Sequence, residues 1–113
     1  MNKTQRKILH AELHQALEKT FGEVQQEALF STIMSTKRRF RADFYVPAKR
    51  IVIEINGGQW VSGRHNRGGK GYENDLTKSN LANANNFVYL QYTYEMLARG
   101  EHLADMKKLA DGI

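Results

Sequence analysis

RFRADFYVPAKRIVIEIN, residues 39–56, reads as two strands joined by a tight turn, and this reading decides the fold. Phe40, Ala42, Phe44 and Val46 are apolar at every second position, with Arg39, Arg41, Asp43 and Tyr45 between them, the period of a half-buried strand. After the Pro47-Ala48-Lys49-Arg50 turn, Ile51, Ile53 and Ile55 form a second apolar face. A symmetric hairpin over 38–56 pairs Val46 with Ile51, Phe44 with Ile53 and Ala42 with Ile55, so that these six side chains share one side. The other side then pairs Tyr45 with Val52, Asp43 with Glu54 and Arg41 with Asn56. A slip of one residue would mix the faces, so face identity is firmer than any single partner. Opposed residues in such a ladder have Cβ atoms roughly 4.5–5.5 Å apart, and like charges there destabilise it. A divalent cation held by Asp43 and Glu54 would remove that penalty.

Working outward, Ile8, Leu9, Leu13, Ala16, Leu17 and Phe21 recur at helical spacing, which predicts an amphipathic helix over 4–20, capped by Thr4 and ended near Gly22. Val24 to Ile33 fits helix or strand, and we read a strand late in it. Ile51 to Ile55 is apolar almost throughout, as expected of a central strand covered on both faces. Residues 57–71 hold six of the nine glycines with Arg64, His65, Arg67 and Lys70, a mobile cationic loop. Tyr72 to Asn86 reads as a helix with Glu73 and Asp75 in its first turn. Phe87 to Tyr92 reads as a strand, Thr93 as the cap of a short turn through Leu97, and Leu103, Met106, Leu109 and Ala110 as a final helix stopping at Gly112. The order implies an α/β (α+β) fold, one domain over 1–113, with a mixed central sheet built on the hairpin and flanked by helices.

The 113 residues suit one compact domain. With no cysteine, disulfides and thiolate zinc sites are excluded. The start, Met1 to Lys7, is polar and basic, no signal-type apolar stretch follows it, and no run approaches the roughly 20 apolar residues of a membrane span. A cytoplasmic protein is the expectation. Lys and Arg outnumber Asp and Glu 17 to 12, a formal charge of +5, which favours a polyanionic partner.

Phosphodiester hydrolysis needs charge stabilisation at the phosphoryl group and an activated water, and a carboxylate-held divalent metal supplies both. Asp43 and Glu54 suit that chemistry, with the Ile55 carbonyl as a third donor. A carboxylate inside a run of branched aliphatics is costly unless paired or metal-bound, and a salt bridge from Glu54 to Arg41 or Arg39 is the structural alternative. Gly68-Gly69-Lys70-Gly71 lacks the spacing and the Ser or Thr of a P-loop. His10 and His14, with Glu18 a turn on, have a spacing that can hold zinc on a helix, but no other ligand cluster accompanies them. Trp60 suits base stacking or a core rim equally.

Arg41-Ala42-Asp43-Phe44, the turn, Ile51-Val52-Ile53-Glu54-Ile55-Asn56-Gly57-Gly58, and the helix and strand that follow resemble the PD-(D/E)XK nuclease superfamily over roughly residues 24–97. Within it the segment is most similar to the very-short-patch-repair-like branch and small phage-type endonucleases, on the strength of Gly-Gly after the acidic strand, His65, Asp75 and Lys78. The resemblance implies a restriction-endonuclease-like fold and a magnesium-dependent DNA endonuclease, with Mn2+ as substitute and Asp43, Glu54 and the Ile55 carbonyl as metal ligands. The superfamily's lysine, two residues after the Glu, falls on Asn56. A neutral amide can hydrogen-bond water but supplies no positive charge, so Lys78 or His65 would have to assist. Glu12 is the candidate for an additional acid, with Glu18 or Glu27 as alternatives. Arg39, Arg41, Arg64, Arg67 and Lys70 would meet the DNA backbone, and cutting both strands would need a homodimer or two visits. A non-catalytic nucleic-acid-binding module that lost the cation at Asn56 is the alternative.

Overall fold

A computed structural model describes residues 1–56, 60–61, 64–65 and 68–112. Helix α1 (Lys3–Phe21) is followed by strand β1 (Gln25–Leu29), a single helical turn α2 (Phe30–Ile33), β2 (Arg41–Val46), a 3-10 turn at Pro47–Lys49 and β3 (Ile51–Ile55). Two short strands, β4 (Trp60–Val61) and β5 (Arg64–His65), precede α3 (Gly68–Ala84), β6 (Val88–Tyr92), α4 (Tyr94–Ala98) and α5 (Glu101–Ala110). The main sheet has the order β1-β2-β3-β6, antiparallel except for the parallel β3–β6 pair, so the fold is α/β with a mixed sheet. The parallel pair needs a long crossover, and α3 provides it. Among the described residues no helix is long and apolar enough to cross a membrane.

The hairpin has the expected register, with Phe44 opposite Ile53, Tyr45 opposite Val52 and Val46 opposite Ile51. Its turn is held from outside. Arg50 takes a left-handed conformation at φ 54°, and its guanidinium donates to the Asn85 and Asn86 carbonyls at 2.6 and 3.2 Å while lying 4.0 Å from the centre of the Phe87 ring. Thus the turn is locked to the α3–β6 connection.

Both faces of the sheet are covered. Leu13 and Leu17 of α1, Leu97 of α4 and Met106 of α5 pack on Phe44, Val46, Ile51 and Ile53. On the other face Ala82 of α3 and Phe87 pack with Tyr45 and Val52. Val52 is fully buried, as a central strand requires. Ala42 departs from the expected six-residue face and packs with Ala28, Phe30 and Met34, because the Phe30 N–H bonds to the Phe40 carbonyl at 2.9 Å and draws α2 over that end of β2.

Several boundaries move. Asn2, not Thr4, caps α1: its side chain accepts the Gln5 N–H at 2.8 Å, and Gln5 reciprocates. Gly22, at φ 90°, ends that helix, its N–H bonding to the Glu18 carbonyl. The strand expected late in 24–33 comes early, because Phe30, wholly buried, starts α2 instead. Helix α3 begins at Gly68, ahead of the predicted Tyr72, and β4 pairs with β5 within the stretch expected to be a loop.

Candidate functional site

Asp43 is paired in neither of the ladders that flank β2. The β2–β3 ladder stops at the Phe44–Ile53 pair, one step short of the expected Asp43–Glu54 pair. On the other side the β1–β2 ladder runs Gln26–Phe44 and Ala28–Ala42 but skips Glu27–Asp43, and Glu27 sits at φ 51°. Such a conformation is uncommon for a residue with a side chain. Asp43 Oδ2 instead accepts the Ile55 N–H at 2.7 Å, taking the place of a backbone partner. The Asn56 N–H bonds across to the Tyr92 carbonyl on β6 at 2.7 Å. No peptide among the described residues is cis, so the Ile55 carbonyl points the opposite way, toward β2 and Asp43.

Glu54 is 5 % exposed on the face that α3 covers. Lys78, projecting from α3, places Nζ 2.8 Å from Glu54 Oε1, and the Tyr89 hydroxyl donates to Oε2. The salt bridge to Arg39 or Arg41 weighed above is therefore replaced by one to Lys78. Arg41 is exposed and donates to the Glu27 carbonyl at 3.2 Å, and Arg39 is exposed. Phe40 carries Lys78 Nζ at 5.4 Å and the Arg38 guanidinium at 4.5 Å from its ring centre, which joins the basic run to the site. Asn56, two residues beyond Glu54, donates through Nδ2 to Gln91 Oε1. The result is a polar row at the C-terminal ends of the parallel strands β3 and β6, the end at which open α/β sheets take ligands.

Tyr89 and Gln91 are absent from the sequence reading. Their signal lay in parity: β3 pairs with β6 as Val52–Tyr89 and Glu54–Gln91, so the polar residues of β6 share a face with Glu54. Burial first, and then the charge and hydrogen bond of Glu54, push the Tyr89 phenol well above the usual tyrosine range, with Asp75 and Asp43 adding to the same direction. Tyr92 is raised as well, by burial and then by its 2.6 Å hydrogen bond to Asp105. Both groups titrate higher folded than unfolded, so the stability they contribute is present below the unfolded value of about 10 and is lost as pH rises beyond it. An absorbance titration at 295 nm with parallel circular dichroism should show these two of the five tyrosines ionising only as the fold is lost. Tyr89→Phe and Tyr92→Phe should each flatten the alkaline limb of the stability curve. An unchanged limb in both would contradict the assignment.

The additional acid expected on α1 is not at this site. Glu12 is exposed and lines a groove with Leu97, Arg99 and His102, against the helices that cover the opposite face, while Glu18 lies 3.6 Å from His14. The rings of His10 and His14 lie 4.8 and 5.5 Å from that of Phe44, a packing role rather than a zinc site. Glu27 is the remaining alternative, at the skipped position opposite Asp43. Arg67 and the side chains of Trp60, Arg64, His65 and Lys70 lie outside the described residues.

Magnesium takes hard oxygen donors and only one or two protein carboxylates, keeping several waters. Asp43, Glu54 and the inward-turned Ile55 carbonyl fit that donor set. Among the described residues no group of three or more His, Asp or Glu side chains comes together as a cage. In comparisons with family models, curated proteins and solved structures, nothing matches this chain.

Proposed function

We propose that the protein is a magnesium-dependent DNA endonuclease of PD-(D/E)XK type. The observation that carries this reading is the Lys78 amine 2.8 Å from the Glu54 carboxylate, a cation beside the acid pair of a chain whose motif position holds Asn56. Asp43, Glu54 and the Ile55 carbonyl would hold the metal, which when bound supplies charge stabilisation at the phosphoryl group and an activated water. Lys78 and Tyr89 each hold one oxygen of Glu54 and so orient its carboxylate. Lys78 also brings positive charge to where a phosphoryl group would develop negative charge. Asn56, tied to Gln91, adds a neutral amide beside it. Arg39 and Arg41, exposed next to Asp43, suit backbone phosphates. Structure-directed or weakly selective nicking, rather than site-specific restriction, is the expected activity, and two copies or two visits are needed to cut both strands.

One observation favours a nucleic-acid-binding module without catalysis: both Glu54 oxygens already have protein partners, so the buried network is complete without a cation. A supercoiled-plasmid nicking assay separates the readings. The enzyme should relax plasmid with Mg2+ or Mn2+ but not with EDTA, and Glu54→Gln should lower the rate by about 100-fold or more, since a metal ligand carries several kcal/mol of the barrier. Absence of metal-dependent cleavage on duplex, single-stranded and branched DNA alike would leave the binding module.

A further inference from the structure

The basic N-terminal half of α1 belongs to no part of the site above. Lys3, Arg6, Lys7 and His10 stand at i, i+3, i+4 and i+7, hence on one side of the helix. With Tyr94, the first residue of α4, they line a hollow of about 290 Å3 with no acidic residue among the described residues of its wall. Lys3, Arg6 and Lys7 are exposed, and among the described residues none of the four pairs with a carboxylate. The Arg6 guanidinium lies 5.8 Å from the centre of the Tyr94 ring, which preorganises it without neutralising it. His10 is anchored on Phe44. Three exposed cations on adjacent turns repel one another, and an anion between them would relieve that repulsion.

Placement favours a phosphate backbone as that anion. Tyr94 stands two residues beyond Tyr92, whose carbonyl receives the Asn56 N–H. The hollow and the acid pair therefore flank the same end of the sheet, one on each face. We infer that Lys3, Arg6, Lys7, His10 and Tyr94 form a second contact surface for the DNA backbone, separate from the Arg39–Arg41 run. This inference rests on the reading of the protein as acting on DNA. A strand held at the acid pair and passing around that end of the sheet would run toward this surface. Its contacts are to phosphate, so they add affinity independent of sequence.

The test is fluorescence anisotropy of a labelled duplex in EDTA, across a salt series, with three proteins. These are the natural chain, a Lys3→Gln/Arg6→Gln/Lys7→Gln triple, and a Lys19→Gln/Lys107→Gln/Lys108→Gln triple that removes the same charge from exposed positions elsewhere. The first triple should weaken binding roughly 10- to 100-fold near 0.1 M salt and reduce the slope of log K against log salt by about 2–3, since each neutralised phosphate contributes about 0.9. The second should change the slope by less than one unit or so on the same scale. All the substituted side chains are exposed, and thermal melts confirm folding. Equal weakening by both triples, or none by the first, overturns the inference. So does a first triple that loses binding to phosphatidylserine vesicles while keeping the duplex. If the natural chain nicks plasmid with metal while the first triple binds as the natural chain does, this inference alone fails. If it neither binds nor nicks, the reading beneath it fails too.

Discussion

Lys78→Met should lower the free energy of unfolding by about 3–5 kcal/mol, the usual cost of removing one partner from a buried ion pair. The side chains of Lys78 and Glu54 are only 13 % and 7 % exposed, so water cannot take over from the lost amine. Among the described residues Tyr89 would remain as the hydrogen-bond partner of a buried carboxylate. A typical domain has only about 5–15 kcal/mol in hand, so the effect is a large fraction of the whole. Glu54→Gln should cost less, because the amide still accepts from Tyr89 and the long Lys78 stem can carry its amine outward to solvent. The double variant should recover most of the Lys78→Met loss, since neither charge is then stranded. Urea unfolding of the four proteins measures the cycle, and a Lys78→Met cost below about 1 kcal/mol would mean that the pair is solvated and the site open.

That pair marks how far the sequence could be read. The alternation over 39–56 carries its own register because the period-2 pattern, the turn and the two apolar faces agree, and the sheet reproduces it from Phe44 to Ile53. Lys78 was singled out for a different reason, because the resemblance left Asn56 where a cation was expected, and the structure places its amine beside Glu54. Tyr89 and Gln91 were not legible, although their polarity alternates with Val88, Leu90 and Tyr92. Their partners on β3 are distant in sequence, and nothing local to either strand states the register of a parallel pair. Glu12 failed for a related reason. Helical periodicity shows which side of α1 is apolar but not which face of the sheet it will cover, and α1 lies on the face turned away from Glu54. Helix α3 extends through Gly68 and Gly71, where intrinsic propensity argues against helix. Phe30 reads locally as a strand residue, yet its burial in α2 is a tertiary gain.

The unpaired register position of Asp43 bears on the proposed function. Asp43 is the position at which the β1–β2 ladder skips a pair and the β2–β3 ladder ends, beside a left-handed Glu27. Backbone in sparsely populated regions persists where surrounding structure enforces it, and such places cluster at functional sites. Here the Asp43 carboxylate accepts the Ile55 N–H, on the side to which the Ile55 carbonyl also points.

Asp43→Asn should therefore separate folding from catalysis. The asparagine carbonyl oxygen can accept the same Ile55 N–H, so the strand end keeps its hydrogen bond and stability should change by less than about 1 kcal/mol. In the proposed mechanism the lost charge removes one of two carboxylate donors, so the nicking rate should fall by at least about 100-fold. A binding measurement independent of activity accompanies it. A ligand that binds only the native state raises the melting temperature in proportion to its occupancy. Millimolar magnesium should raise that of the natural chain and leave Asp43→Asn unmoved. Asp43→Ala, which also strands the Ile55 N–H, should lose both activity and about 1–3 kcal/mol of stability. If Asp43→Asn keeps full activity, the reaction does not pass through this carboxylate. If it melts as Asp43→Ala does, Asp43 is a structural cap for the Ile55 amide, and its unpaired register position serves the fold alone.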